Sequence, residues 1–450
     1  MRIRLDQSRF DNRHIFFPLL NNAVFQMPSA SSTTISSSAS EYVTAAEAAR
    51  ILKVKPQTLY TYVSRGLIRS VAQLDRKDRL YYREDIDKVR ARSDARAGTG
   101  AAAESALRWG QPVINTGITE LTPDGPRYRG RLALDLVRQR RSFEAVAELL
   151  WTGIDHLEAV VWDSEQLPNG FGELMDHVVL QGELPPILRV FGIATTMLGA
   201  AEAARNEIRR GTTIPAARQM ILTLTGCLGY LGPARRFVVP ESARGLAENI
   251  ARILLPSVSP EIVQAINTAL VLCADHELSP STFAARVAAS TGAELRACML
   301  AAVGAHSGAL AGAGCDRVED LLRDAHSSED VRLRLLTLEQ AGNRIPGFNI
   351  VVYPKGDPRA RALLQIARSF ATNEHTRLVC EFIDEADRRL HLRPSLEVGL
   401  VALTIALGMP AHSAGALWAL GRTAGWIAHV MEQRLAGFVL RPRARFLPAA

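Results

Sequence analysis

From Thr44 onward, apolar positions recur three and four residues apart, and a short apolar run then follows a charged loop, so helices should give way to a short strand. Thr44 can cap a helix with Glu47 three residues on, and Ala45, Ala48, Ala49 and Leu52 follow at helical spacing to a stop near Val54. Lys55 and Pro56 open a second helix in which Thr58, Tyr60, Thr61 and Arg65 project polar groups before Gly66 ends it. Two short helices joined by a tight turn predict a helix-turn-helix. Leu67-Ile68 then leads to a charged loop, Asp75 to Arg79, a strand Leu80-Tyr81-Tyr82, and a third helix from Arg83. Further on, Gly117 to Thr119 reads as a turn, Arg127 to Gly130 as a basic loop, and Phe143 to Thr152 as an amphipathic helix closed by Gly153. The longest near-continuous apolar stretches, Ala265 to Ala274 and Gly399 to Pro410, fall short of the about 20 residues a membrane span needs. A membrane protein is therefore not expected.

Composition narrows the class. At 450 residues, 47% apolar and 22% charged, the chain reads as a globular protein of more than one domain. Aromatics are only 6%, while Ala, Leu and Arg abound, which suits an all-α fold of helices packed on helices. The five cysteines include no C-x-x-C pair, so a disulfide framework or thiolate zinc site is not indicated, no metal is implied, and a reducing cytoplasmic location is expected. Net charge is +7, and residues 41–96, with 13 Lys or Arg against 8 Asp or Glu, carry +5 of it. That concentration is an electrostatic footprint for a polyanion. Residues 1–40 end in the Ser/Thr/Ala tract Ser29 to Ser40 and read as a flexible arm; Pro18, Asn21 and Asn22 interrupt the apolar run that could pass for a signal segment, and Met27 is a second candidate start. Residues 97–109 read as a small-residue linker.

Two resemblances follow from motifs. Ala48, Leu52, Val54, Thr58, Leu59, Tyr62, Gly66, Leu67, Arg79, Tyr81 and Asp85 stand as in the winged helix-turn-helix of MerR-like and excisionase-like regulators. The resemblance implies a DNA-binding domain over 41–96, with Thr58, Tyr60, Arg65 and Arg79 as contacts. The competing reading of the same residues is a three-helix protein-interaction cap with solvated charges. From about residue 110 to the C-terminus the chain resembles citrate synthases. The likeness rests on Gly117-Ile118-Thr119, Arg127 to Gly130 and Phe143 to Gly153, on Ala274-Asp275-His276-Glu277 running to Ser281-Thr282-Phe283 and Arg286, on Asp357-Pro358-Arg359, and on Gly421-Arg422 through His429 with Arg441 beyond. It implies an all-α body over 110–450 with a large and a small domain, the small one at about 307–400, working as a homodimer.

By that resemblance His276, Arg359 and Arg422 hold a dicarboxylate, oxaloacetate or citrate, and Arg441 reaches in from a neighbouring subunit. Guanidinium forks suit carboxylates because they meet them bidentately. Condensing an acyl-CoA with a keto acid also needs a base, an enolate donor and an acid. The family uses one Asp and two His, and here Glu397 stands at the Asp position while Ala311 and Ile350 stand at the two His positions. Val351 and Ser395 depart from the pattern as well. Glu397 keeps a carboxylate, although its extra methylene moves the oxygens by about an ångström, a displacement worth roughly a hundredfold in rate. His306, five residues before Ala311, restores the donor only by breaking the match at Val303-Gly304-Ala305 and Val318, and it reads as a core or interface histidine. The glycine-rich run Gly308 to Gly314 follows a predicted helix, so it does not suit a dinucleotide loop. The expectation is a metabolite-responsive DNA-binding regulator with a degraded condensing triad, acetyl-CoA or propionyl-CoA being a possible ligand. Its rivals are an active citrate or 2-methylcitrate synthase with altered residues, and a non-catalytic partner of an active paralogue.

Overall fold

Caps and turns written into the sequence set the elements of the N-terminal domain. The computed structural model describes residues 42–64, 67–73, 76–87, 89–90, 114–158, 160–162, 167–200, 207–323, 327–341 and 347–442. The expected arm and linker, Arg65, Gly66, Asp75 and Met27 lie outside them. The chain divides into two units, Met1–Ile114 and Asn115–Ala450. In the first, β1 (Tyr42–Thr44) runs into α1 (Ala45–Leu52), where the Thr44 hydroxyl accepts from Glu47 N and Lys53 closes the helix in the left-handed region. After the turn, α2 (Pro56–Ser64) follows, then β2 (Ser70–Gln73) and β3 (Arg76–Tyr82). The three strands form an antiparallel sheet in the order β1-β3-β2. Val43, Ala48, Leu52, Leu59, Ile68, Tyr81, Ile86 and Val89 make its core. Asp85, in the helical residues 83–87, accepts from the Arg69 backbone at 2.9 Å and from its Nε at 2.8 Å, tying that helix to the start of β2.

One expectation is corrected here. The charged segment Asp75 to Arg79 is not all loop: from Arg76 it is the first half of β3, the middle strand, and Ala72 pairs with Arg79 across the β2–β3 hairpin.

The second unit begins with a small antiparallel sheet, β4 (Thr119–Thr122), β5 (Gly125–Tyr128) and β6 (Arg131–Leu132). The turn expected at 117–119 holds at 117–118, with Thr119 opening β4, and the basic loop expected at 127–130 is corrected in its first half: Arg127 and Tyr128 end β5, while 129–130 form the turn into β6. The rest is helical, as the composition predicted. Ser259, Ser279 and Asp357 each cap a helix whose first residue is proline: Pro260–Cys273, Pro280–Ser290 and Pro358–Ser369. The 24-residue helix Ser413–Ala436 is buried along most of its length and packs against Phe143–Thr152, Pro260–Cys273, Pro280–Ser290 and Leu295–His306. All five cysteines are buried free thiols. Among the described residues no helix is long and apolar enough to cross a membrane.

Candidate functional site

Three of the expected ligand residues meet where separate helices end, begin or cross. His276 follows the C-terminus of helix Pro260–Cys273, Arg359 lies in the first turn of helix Pro358–Ser369, and Arg422 lies within helix Ser413–Ala436. Arg359 and Arg422 are each only 2% exposed. Arg422 donates Nε to the Cys273 carbonyl at 2.8 Å, and among the described residues no carboxylate forms an ion pair with it. Burial, and then the like charge of Arg359, pull its pKa below the usual arginine value. Arg359 is paired with Asp357, Nε to Oδ1 at 3.0 Å and Nη2 to Oδ2 at 2.7 Å, while its buried Nη1 has no hydrogen-bond partner. Burial opposes the Arg359 charge, but the Asp357 carboxylate outweighs it and the pKa is raised.

His276 joins them through Tyr353, whose hydroxyl is 3.1 Å from Nε2, and the Arg359 guanidinium stands 5.6 Å from the same tyrosine ring. Burial, Arg359 and Arg422 hold the His276 pKa well below the ordinary histidine value, so the imidazole is neutral near pH 7. Tyr353 is itself pushed up to about 12 by burial, and its hydroxyl keeps its proton. Two guanidiniums, a neutral imidazole and a phenol thus offer N–H and O–H donors suited to an anion.

Close helix contact sets the His276 turn. Gly425 donates its N–H to the Ala274 carbonyl at 2.9 Å, and a Cβ there would stand 2.1 Å from Asp275 Oδ1. Asp275 Oδ2 is 3.3 Å from His429 Nε2, and Arg286 Nη1 is 3.1 Å from His429 Nδ1. Arginine can only donate, so Nδ1 accepts and the His429 proton sits on Nε2, facing Asp275. Burial works against the Asp275 charge, but His429 and Arg422 prevail and its pKa is lowered. Tyr128, from β5, donates to the Val271 carbonyl at 3.0 Å at the end of the same helix. The Asp275–His429–Arg286 chain and Tyr353 were not singled out as functional from the sequence. For Asp275, Arg286 and His429 the signal there was membership in the quoted motifs, while Tyr353 stands four residues before Asp357-Pro358-Arg359.

The remaining expected residues fall as follows. Glu397 is in the first turn of helix Leu396–Ala406, half-buried, and Oε2 accepts from Ser395 Oγ at 2.5 Å. Ala311 lies in the turn after helix Leu295–His306, its N–H donating to the Gly308 carbonyl at 2.9 Å. Ile350 opens the turn that Tyr353 closes, Tyr353 N to Ile350 O being 3.1 Å. Neither Ala311 nor Ile350 carries a polar side-chain atom. Arg441 is exposed beyond the last helix and takes no part in the cluster. His306 is a core residue, 2% exposed. In the N-terminal unit Tyr60 and Arg79 are exposed, Thr58 is half-buried, and Arg65 lies outside the described residues.

Two other features were not anticipated. Asp316, Glu319 and His412 bring their donor atoms within 4.8 Å of one another. Two of them are bonded, His412 Nδ1 to Asp316 Oδ1 at 3.0 Å, and the His412 backbone N–H donates to Glu319 Oε2 at 2.8 Å, which secures the start of helix Ser413–Ala436. An apolar groove of about 820 Å³ runs along helices Ile187–Ala200 and Leu295–His306, lined by Ile187, Ile193, Met197, Leu300 and Val303 among others.

Comparison with known proteins bears on both units. The family profile described as "Citrate synthase, C-terminal domain" matches residues 106–443, and one described as "Helix-turn-helix domain" matches residues 42–93. A protein of Mycobacterium tuberculosis named "Putative citrate synthase 2" is 30% identical over 348 residues, spanning 75% of this chain and 91% of that protein. "Citrate synthase 2" of Bacillus subtilis is 25% identical over 352 residues, covering 75% and 94%. Among solved structures, the ternary complex of the Thermoplasma acidophilum citrate synthase with carboxymethyl coenzyme A and oxaloacetate superposes with a TM-score of 0.67 at 22% identity, covering 77% of this chain and 96% of that one. The last similarity is one of fold.

Proposed function

The chain belongs to the citrate synthase family and carries a helix-turn-helix domain, and from that premise we propose that it is a cytoplasmic, metabolite-responsive DNA-binding regulator that senses oxaloacetate or citrate. The observation that carries this reading is the contrast within one family site. Donors for carboxylates are kept in His276, Arg359 with its unpartnered Nη1, and Arg422, while Ala311 and Ile350 offer only alkyl groups where the family pattern has its two imidazoles. Each positioned acid or base contributes about 10² to 10⁴ in rate, so losing two leaves a binding site without its chemistry. Glu397 remains at the position of the base. The basic helix-turn-helix, with Tyr60 and Arg79 exposed, supplies the DNA-contacting surface. Acetyl-CoA or propionyl-CoA is a second ligand in this reading. The homodimer that the family resemblance implies belongs to this reading.

A second reading, an active citrate or 2-methylcitrate synthase, is favoured by the retained Glu397 carboxylate and by the relatives' names. A third, in which exposed Arg441 completes the site of an active paralogue, has its exposure as support. One assay separates the first two: thiol release from acetyl-CoA or propionyl-CoA with oxaloacetate, run beside calorimetry with oxaloacetate and citrate. The regulator reading expects binding without turnover. Turnover in the usual range of about 1 to 10³ per second would replace it with the enzyme reading.

A further inference from the structure

Trp418, Arg422 and Trp426 recur at four-residue steps in helix Ser413–Ala436 and so lie along one face of it. The His306 imidazole, at the end of helix Leu295–His306, stands edge-on to both indoles, with ring centroids 5.0 Å from Trp418 and 5.3 Å from Trp426. Touching the first and third members of that row, it sits beside the second, Arg422. Burial, and then the positive charge of Arg422, lower the His306 pKa to about 3, so the ring is neutral throughout the physiological range.

Packing alone leaves this arrangement incomplete. His306 Nε2 is buried without a hydrogen-bond partner, and so is Nε1 of Trp418, whereas Trp426 donates its N–H to Ser281 Oγ at 3.2 Å. Buried polar atoms in folded proteins are nearly always paired, so two orphans on rings in contact need an explanation. The turn bearing Ala311 closes over the imidazole: a Cβ at Gly312 would stand 2.5 Å from Nε2, so glycine alone lets the turn approach this closely. The orphaned nitrogen therefore faces the turn that carries Ala311, from beside the arginine that holds a carboxylate.

We propose that His306 and Trp418 extend the Arg422 subsite, donating Nε2–H and Nε1–H to a carboxylate or keto oxygen of the bound dicarboxylate. This rests on the dicarboxylate reading above and adds two ligand-binding residues to it. A neutral imidazole with its proton on Nε2 and an indole N–H are both donors, which suits an oxygen anion and rejects a cation. Substitution of an apolar residue at 306 would keep the packing and remove the donor.

The test titrates oxaloacetate and citrate into the full-length protein, reading binding by calorimetry and the histidine and tryptophan side-chain nitrogens by ¹H–¹⁵N spectra. The His306 and Trp418 resonances should move and saturate with the calorimetric Kd, while the Trp162 indole, which already donates to Glu148 Oε1 at 3.1 Å, should stay still. His306→Leu should weaken binding about tenfold, as loss of a hydrogen bond to a charged group does. Calorimetric binding with both resonances unmoved would overturn the proposal while leaving the dicarboxylate reading intact, and it does so in the wild-type protein, whatever the folding of the variant. If neither acid binds, the dicarboxylate reading fails, and this inference with it.

Discussion

Arg359 and Arg422 are the same residue type at the same burial, yet their surroundings give them different work. Arg359 is held by Asp357, so removing either partner strands a buried charge, and a loss of ligand binding in such a variant would be confounded with a loss of stability. Arg422 has no such partner among the described residues and is the cleaner probe of the ligand. His306 makes a prediction of its own through proton linkage. Its pKa falls from 6.5 to about 3 on folding, so between those values the unfolded chain binds a proton that the folded chain does not. Stability is fully present above pH 6.5 and falls as the pH is lowered through that window, at about 1.4 kcal/mol per pH unit for this one group. His306→Leu should flatten the acid limb of a plot of urea-denaturation free energy against pH by about that slope. An unchanged slope would show that the imidazole titrates normally in the folded protein.

Among elements, the helices follow their caps and the sheets do not follow any comparable signal. Ser-Pro and Asp-Pro pairs announce the starts of helices Pro260–Cys273, Pro280–Ser290 and Pro358–Ser369 in the sequence itself. Strands β4 to β6 are two to four residues long, and pairing between them, rather than any residue's preference, makes them strands. The contact between helix Ser413–Ala436 and the His276 turn depends on the absence of one Cβ. Gly425→Ala would drive a methyl into Asp275 Oδ1 and the Ala274 carbonyl, and overpacking of this kind costs about 1 to 3 kcal/mol. The expected result is a lowered urea midpoint by tryptophan fluorescence together with weakened oxaloacetate binding, because His276 directly follows the displaced residue. Normal stability with normal binding would mean that the two elements separate freely at this point.

At the scale of the whole molecule, the two units are joined in one chain but carry different chemistry, and the regulator reading requires them to be coupled. DNA affinity of the full-length protein, measured by anisotropy, should fall linearly with salt on logarithmic axes, at about −0.9 per phosphate neutralised. Arg79→Ala should lower that slope by about one. Saturating oxaloacetate should change the DNA Kd, and DNA should change the oxaloacetate Kd by the same factor, since coupling between sites is reciprocal. An affinity for DNA that ignores both salt and oxaloacetate would leave the N-terminal domain with another role.

The helical class, the helix-turn-helix and the family of the larger unit were legible in the chain because they depend on local quantities: apolar spacing, caps, and motifs in which residue type and separation carry the meaning. The wing was half legible, since Leu80 to Tyr82 form a short apolar run but the charged half of β3 becomes strand only by pairing with β2. Where His276, Arg359 and Arg422 stand in the sequence was readable by resemblance, but their environments were not. That Tyr353 bridges to His276 and that His306 lies beside Arg422 between two indoles are contacts across 77 to 120 residues of chain, and that Arg359 is paired with Asp357 while Arg422 has no carboxylate partner among the described residues depends on burial that no local pattern records. Charge state and hydrogen-bond satisfaction depend on what the fold brings near and what water it removes, so only the tertiary structure could decide them.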